Sequence, residues 1–357
     1  MTKVPRVAVA GAGYIGLAHI DAAQRTEGLT LSAVVDPSLH AKEVAQKAGV
    51  PWYGSLEDLL EQDRPEGVVL ATPNAFHVPH TVMCLDAGVA CLLEKPIAPT
   101  VSQAQFLVQR IESDRSKVLI GHHRAHSPIM QKAVSIVQGG GLGKLVAVMG
   151  SATFFKPPQY FTDAPWRTQK GAGPILLNLI HDVHNLRMLC GDIVAVQAFA
   201  SNAMRGYEVE DTVSINLRFK NGVLGTFLLS DAAASAKSWE HTSQENKAYP
   251  SCEDEDCYVL SGTMGSLSIP TMRMKSYPSE QERSWWKPFA VESLGVQRED
   301  PIARQMVHFR DMISLDQAPL VSARDGLLNL LVTEAITLAA KKSQMVEIDF
   351  ENQTLKF

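Results

Sequence analysis

Three stretches of this chain have residue types and spacing suited to chemistry. The first is Gly11-Ala12-Gly13-Tyr14-Ile15-Gly16, a GxGxxG, with Asp36 about 20 residues beyond Gly16. Between a strand and a helix, Gly11 permits a tight turn. Gly13 lets the backbone approach a diphosphate, and Gly16 lets the helix pack close to the strand. The helix N-terminus then offers free N–H groups and a positive dipole end to the phosphates. Asp36 would accept hydrogen bonds from both ribose hydroxyls and repel a 2′-phosphate. Pro37, Ser38, Leu39 and His40 follow it, with no arginine among them. The expected cofactor is NAD in preference to NADP.

The second stretch is Glu94-Lys95-Pro96, which ends the apolar run Cys91-Leu92-Leu93, as Thr72-Pro73-Asn74 ends another run upstream. Both would lie at carboxyl ends of parallel strands, where α/β sheets bind ligands. Beside a cationic nicotinamide, the Lys95 ammonium would be partly desolvated and its pKa lowered. Such a lysine can orient a substrate hydroxyl and share its proton. The third stretch is the glycine-led segment 171–184. On a helix, Asn178, His181 and Asp182 stand at i, i+3 and i+4 and share one face, with His184 three beyond His181. A polar stripe on an otherwise apolar helix reads as the wall of a cleft. His181 is the candidate general base, because imidazole titrates near neutral pH. No metal is expected: His181/His184 is not a usual zinc pair, and Cys252/Cys257 match no common zinc spacing. The glycines at 139–143 imitate a phosphate loop, but Leu145 follows Lys144 where magnesium binding needs Ser or Thr, so they read as a helix end and turn.

These groups need elements to position them. Residues 6–10, 29–35, 67–71, 89–93 and 117–121 are short apolar runs, with helical patterns at 15–25, 40–48, 77–87 and 102–114. Near-continuously apolar strands alternating with helices predict a parallel sheet covered on both faces. Beyond residue 122, longer alternating runs at 145–154, 193–200, 212–219 and 223–229 predict antiparallel strands, and Asn221-Gly222 predicts a hairpin between two of them. Helices are expected at 128–137, 175–189, 311–315 and 323–341, and a long polar loop at 231–257. The expected organisation is a doubly wound dinucleotide-binding domain over residues 1–122 and an α+β domain on an open sheet over 123–357.

Composition narrows the class. A net charge of −5 leaves no basic surplus for a phosphate backbone, so nucleic acid is not an expected partner. No apolar run reaches the roughly 18 residues of a membrane span. Five scattered cysteines in 357 residues do not form a disulfide framework, which points to reduced thiols and the cytoplasm.

Taken together, the motifs resemble the Gfo/Idh/MocA oxidoreductases. The matching elements are the GxGxxG with Asp36, Thr72-Pro73-Asn74 with His77, and Glu94-Lys95-Pro96. They also include residues 121–128 with Arg124 and Pro128, Trp166-Arg167, and the helix ending in His181. They occur in the family's order over nearly the whole chain. The resemblance implies an N-terminal Rossmann domain, and a C-terminal α+β domain with a large open, mainly antiparallel sheet whose outer face builds homodimers or homotetramers. It implies hydride transfer between NAD and a hydroxyl carbon of a sugar, cyclitol or related polyol. Gly11, Gly13, Tyr14, Ile15, Gly16, Asp36, Thr72, Pro73, Asn74, His77, Glu94 and Lys95 are then expected around the cofactor. Lys95, His181 and Asn178 form the catalytic group: the substrate hydroxyl sits between Lys95 and His181, the imidazole takes its proton, and the ammonium steadies the alkoxide. Arg124, Trp166, Arg167, Asp182 and His184 are the expected substrate contacts.

Two departures stand out. Many members carry an aspartate where this chain has Leu177; Asn178 beside it can hold substrate but cannot take a proton as a carboxylate would. His122, His123 and His126 replace residues that are usually apolar or aromatic. Two other readings compete. One is dehydrogenation of a dihydrodiol or oxidation–elimination with retained NAD, with Trp239, Trp285 and Trp286 shaping a larger pocket. The other is a non-catalytic NAD-sensing regulator.

Overall fold

The computed structural model describes residues 4–357. They form two compact units, residues 4–126 with 300–330, and residues 127–299 with 331–357. The first unit is a six-stranded, all-parallel sheet. Its strands are β1 (Arg6–Ala10), β2 (Thr30–Val35), β3 (Trp52–Tyr53), β4 (Gly67–Leu70), β5 (Ala90–Leu93) and β6 (Val118–Ile120), in the order β3-β2-β1-β4-β5-β6. Helices α1 (Tyr14–Arg25), α2 (Leu39–Ala48), α3 (Leu56–Gln62), α4 (His77–Asp86) and α5 (Val101–Asp114) make the crossovers. The central strands are buried on both faces, as their unbroken Val, Leu and Ala runs require. Strand order reverses between β1 and β4, so the loops leaving their carboxyl ends part at that point.

Residues 300–330, expected in the second domain, belong to the first unit. Helix α10 (Pro301–Leu315) starts with Asp300 accepting the Ile302 amide at 2.9 Å and packs along α1. Phe309 and Ile313 sit so close to Gly67 that a Cβ there would lie 2.7–2.9 Å from them. The Ile120 amide donates to the Val321 carbonyl at 3.1 Å. Composition cannot reveal this return, because an amphipathic helix carries no mark of which sheet it covers.

The second unit is built on a ten-stranded sheet. It comprises β7 (Leu145–Thr153), β8 (Ile193–Ser201), β9 (Thr212–Phe219), β10 (Leu224–Ser230), β11 (Tyr258–Gly262), β12 (Gly265–Ile269), β13 (Arg273–Ser276), β14 (Ala290–Ser293), β15 (Val346–Asp349) and β16 (Thr354–Lys356). Only β7 and β10 run parallel; the other pairs are antiparallel, as the alternation predicts. The Asn221-Gly222 hairpin is present, with Gly222 at φ +88° and β9 registered on β10 from Thr212↔Ser230 to Arg218↔Leu224. One face buries Val213, Ile215, Leu217, Phe227 and Leu229; Met149, Leu224 and Leu228 stand on the exposed side. The helices are α6 (Pro128–Gln138), the short α7 (Pro158–Thr162) and α9 (Trp239–Thr242), α8 (Ile180–Cys190), and α11 (Ala323–Lys342), which begins in the first unit. The short α9 lies inside the expected polar loop, and it buries Trp239.

Phe309 is fully buried. Phe309→Ala should therefore destabilise the protein by about 3–5 kcal/mol, read as a lower midpoint in chemical denaturation. A change near zero would show that α10 does not complete the first core.

Candidate active site

The turn after β1 is formed by backbone contact. Gly11 has φ +98°, its amide donates to the Val35 carbonyl at 2.7 Å, and a Cβ on it would lie 2.4 Å from the Ala71 carbonyl oxygen. A Cβ on Gly16 would lie 1.9 Å from the Gly11 carbonyl oxygen, so no larger residue fits at either position. Gly13 caps α1 without a side chain, and nothing lies within 4 Å of where its Cβ would be. The leading N–H groups of α1 therefore face open space, with Tyr14 exposed beside them. This cradle fits a diphosphate.

At the end of β2, Asp36 is fixed on every side. Its amide donates to Tyr53 O, its carbonyl accepts the Trp52 indole N–H at 2.9 Å, and its carboxylate accepts the Ala12 amide at 2.9 Å and the Ser38 amide at 2.8 Å. Partial burial works to raise the carboxyl pKa, but bonds from Ser38 and Ala12 outweigh it and hold it below the usual value. The carboxylate stays charged and keeps lone pairs for two hydroxyls.

His77, expected beside the cofactor, is an interior strut instead. Its Nδ1 lies 2.7 Å from Pro96 O and its Nε2 2.9 Å from Thr72 O, tying together the loops that leave β4 and β5. Burial pushes its pKa down, although the two carbonyls and Glu94 pull the other way. Glu94, also expected at the cofactor, is likewise buried. Oε1 sits 2.8 Å from Nε2 of fully buried His19, Oε2 accepts the Lys95 amide at 3.2 Å, and Gly121 leaves room for its carboxyl group. Burial would raise the Glu94 pKa, but His19, Lys95 and His123 hold it lowered. Lys95, Thr72 and Asn74 are half-buried and Pro73 is exposed. Arg124 is buried in the turn His123–His126.

In the second unit, Gly171 and Gly173 have positive φ, and a Cβ on Gly173 would lie 2.7 Å from Glu210 Oε1, which accepts the Ile175 amide at 2.9 Å. A carboxylate thus caps the start of the helix. The first turn, Ile175–Leu179, is π-helical and runs into α8. That wider turn divides the residues expected on one face. Asn178 turns to Lys156, whose Nζ donates to Oδ1 at 2.7 Å. Asp182, only 1 % exposed, turns into the sheet, where it accepts the Tyr258 hydroxyl; Asn185 Nδ2 in turn donates to that hydroxyl at 3.1 Å. Asp182 is therefore a structural acceptor rather than the substrate contact expected of it. His184 is buried at 4 % and His181 at 8 %. Trp166 is half-exposed, while Arg167 lies 3.9 Å over the Tyr160 ring and donates to its carbonyl.

Sequence reasoning missed Lys156, His19 and Tyr258. Lys156 carried a usable signal, since like Lys95 it is a lone lysine ending an apolar strand, before a proline.

Residues 5–122 match the model described as "Oxidoreductase family, NAD-binding Rossmann fold", and residues 130–268 match the GFO/IDH/MocA C-terminal domain. The chain belongs to the GFO/IDH/MocA oxidoreductase family. It is 27% identical over 232 residues to an inositol 2-dehydrogenase of Corynebacterium glutamicum, covering 63% of this chain and 66% of that relative's own length. Among solved structures, scyllo-inositol dehydrogenase from Lactobacillus casei with NAD(H) and scyllo-inositol superposes with TM-score 0.78 at 17% identity, covering 97% of this chain and 99% of the other. The WlbA dehydrogenase from Bordetella pertussis, in complex with NADH and UDP-GlcNAcA, superposes with TM-score 0.77 at 20% identity over 97% and 99%. Among the described residues, no helix is long and apolar enough to cross a membrane, and no group of three or more His, Cys, Asp or Glu could hold a metal ion.

Tyr258→Phe should cost about 1–3 kcal/mol in denaturant titration, because a buried carboxylate loses its donor. Tyr258→Phe with Asp182→Leu should recover part of that loss; equal or greater loss in the double variant would contradict the structural role of Asp182.

Proposed function

We propose that this chain is an NAD-dependent dehydrogenase acting on a CH–OH carbon of a sugar, cyclitol or related polyol. Lys95 carries this reading: it is half-buried at the carboxyl end of β5, the edge where an open parallel sheet receives its ligand. NAD, when bound, supplies the hydride acceptor. Gly11, Gly13 and the N-terminus of α1 would hold its diphosphate, and Asp36 its ribose. The rest falls to side chains. His181 takes the hydroxyl proton, Lys95 lends its positive charge to the developing alkoxide, and Asn178 fixes the substrate's orientation. Trp166 offers an aromatic face to a ring.

The preference for NAD rests on Asp36, whose carboxylate would repel a 2′-phosphate and which no arginine follows among residues 37–40. The exposed apolar residues Met149, Leu224 and Leu228 support pairing of the C-terminal sheet with a second copy of the chain. Five free cysteines suit a reducing compartment such as the cytoplasm.

An NADH-absorbance screen over sugars, inositols and sugar acids, with NAD and NADP in parallel, tests the activity. Lys95→Ala and His181→Ala should each lower turnover by ~10² or more with NAD affinity retained; full turnover in either would sink the mechanism. Asp36→Ala should raise the KM for NAD and narrow the gap to NADP. Because the Asp36 pKa is lowered, its ionised form persists as pH falls. NAD affinity should stay level from pH 8 to about 5 and weaken only in the acid range below that. A decline already between pH 8 and 6 would contradict the assignment.

A further inference from the structure

Lys156 lies outside the machinery assigned so far, and its surroundings bear on the kind of substrate taken. The residue follows β7. Its side chain is nearly buried, its Nζ is 4.6 Å over the Tyr160 ring, and it lies 3.6 Å from Asp231. An ammonium has only donors, so the amide atom of Asn178 facing it must be the oxygen. Lys156 thereby engages the oxygen of Asn178 and fixes the amide's orientation, leaving Nδ2, which has no protein acceptor among the described residues, as a donor.

The charged groups nearby are mostly engaged. Asp231 serves two cations, Lys156 and Arg205, the latter at 2.8 Å. Arg167 shares the Tyr160 ring with Lys156, is half-buried, and pairs with no carboxylate among the described residues. The other carboxylates of this segment each accept backbone amides: Glu208 that of Lys170, Glu210 that of Ile175, and Asp211 those of Met204 and Arg205. The Asn178 Nδ2 and the Arg167 guanidinium are therefore two donors with no carboxylate partner among the described residues. A neutral polyol needs both donors and acceptors. A carboxylate needs only donors, and a guanidinium fork suits its two oxygens.

We infer that the substrate carries a carboxylate, as a sugar acid does, received by Arg167 and the Asn178 amide with Lys156 holding the amide in its donating orientation. This rests on the dehydrogenase reading and narrows it.

The test uses the full-length protein saturated with NAD and matched probes: D-glucose with D-glucuronate and D-galactose with D-galacturonate, plus glucose 6-phosphate. Binding is followed by titration calorimetry and turnover by NADH absorbance. The acids should bind at least about tenfold more tightly than their neutral partners. Asn178→Asp, which returns an acceptor and a negative charge in the same shape, should lower that ratio at least about tenfold. Arg167→Gln should do the same, and reads the inference independently of helix integrity. Equal binding of acids and neutral sugars, no binding of either, tighter binding of the phosphate ester, or an unchanged ratio in Asn178→Asp would overturn the inference. Acid binding without NADH formation would support the anion site yet count against the dehydrogenase reading. NADH formed from neutral sugars alone would do the reverse.

Discussion

A carboxylate set at the end of an apolar strand constrains much of the first unit. Glu94 cannot be hydrated where it lies, so its oxygens must be met by protein. His19 from α1 meets one and the amide of Lys95 meets the other, while Gly121 keeps the space free. Because His19 sits on the helix that opens with the glycine turn, the phosphate cradle and the strand bearing Lys95 are bound to one another through a single buried pair. His77 adds a second tie between the loops after β4 and β5. The segment bearing Lys95 is therefore held by buried partners on either side of it.

The second unit treats its polar residues in a comparable way. Asp182, Asn185 and Tyr258 form a buried chain between helix and sheet, and Glu210 closes the N-terminus of the same helix. A helix carrying this many polar groups inward is costly unless each finds a partner. The π-helical turn allows it, since an extra residue in the turn lets Asn178 and Asp182 find partners in different directions.

The Rossmann sheet was legible in the sequence because buried parallel strands are written as unbroken apolar runs, and the glycine turn because no other residue survives 2.4 Å from a carbonyl oxygen. The hairpin at Asn221-Gly222 was legible for a similar reason of backbone conformation. Strand β3, two residues long, the partly exposed β13 and the wholly exposed β14 leave too short or too mixed a pattern to read. The site was harder. Residue type singled out Glu94, His77 and Asp182, but whether a polar side chain faces a ligand or the interior depends on partners far away in sequence, such as His19, Pro96 and Tyr258. Equal spacing on an ideal helix also failed where the helix was not ideal.

The return of residues 300–330 to the first unit bears on how the chain comes off the ribosome. Gly67, Ile97 and Ile120 are translated early, yet the side chains and helix that cover them, around Phe309, Ile313 and Gly326, emerge more than 170 residues later. The N-terminal sheet must wait, with apolar surface open, until the intervening unit has been made. A gene fragment cut at the apparent end of the nucleotide-binding motif series would encode an incomplete core; an autonomous version would need the late helices spliced back on.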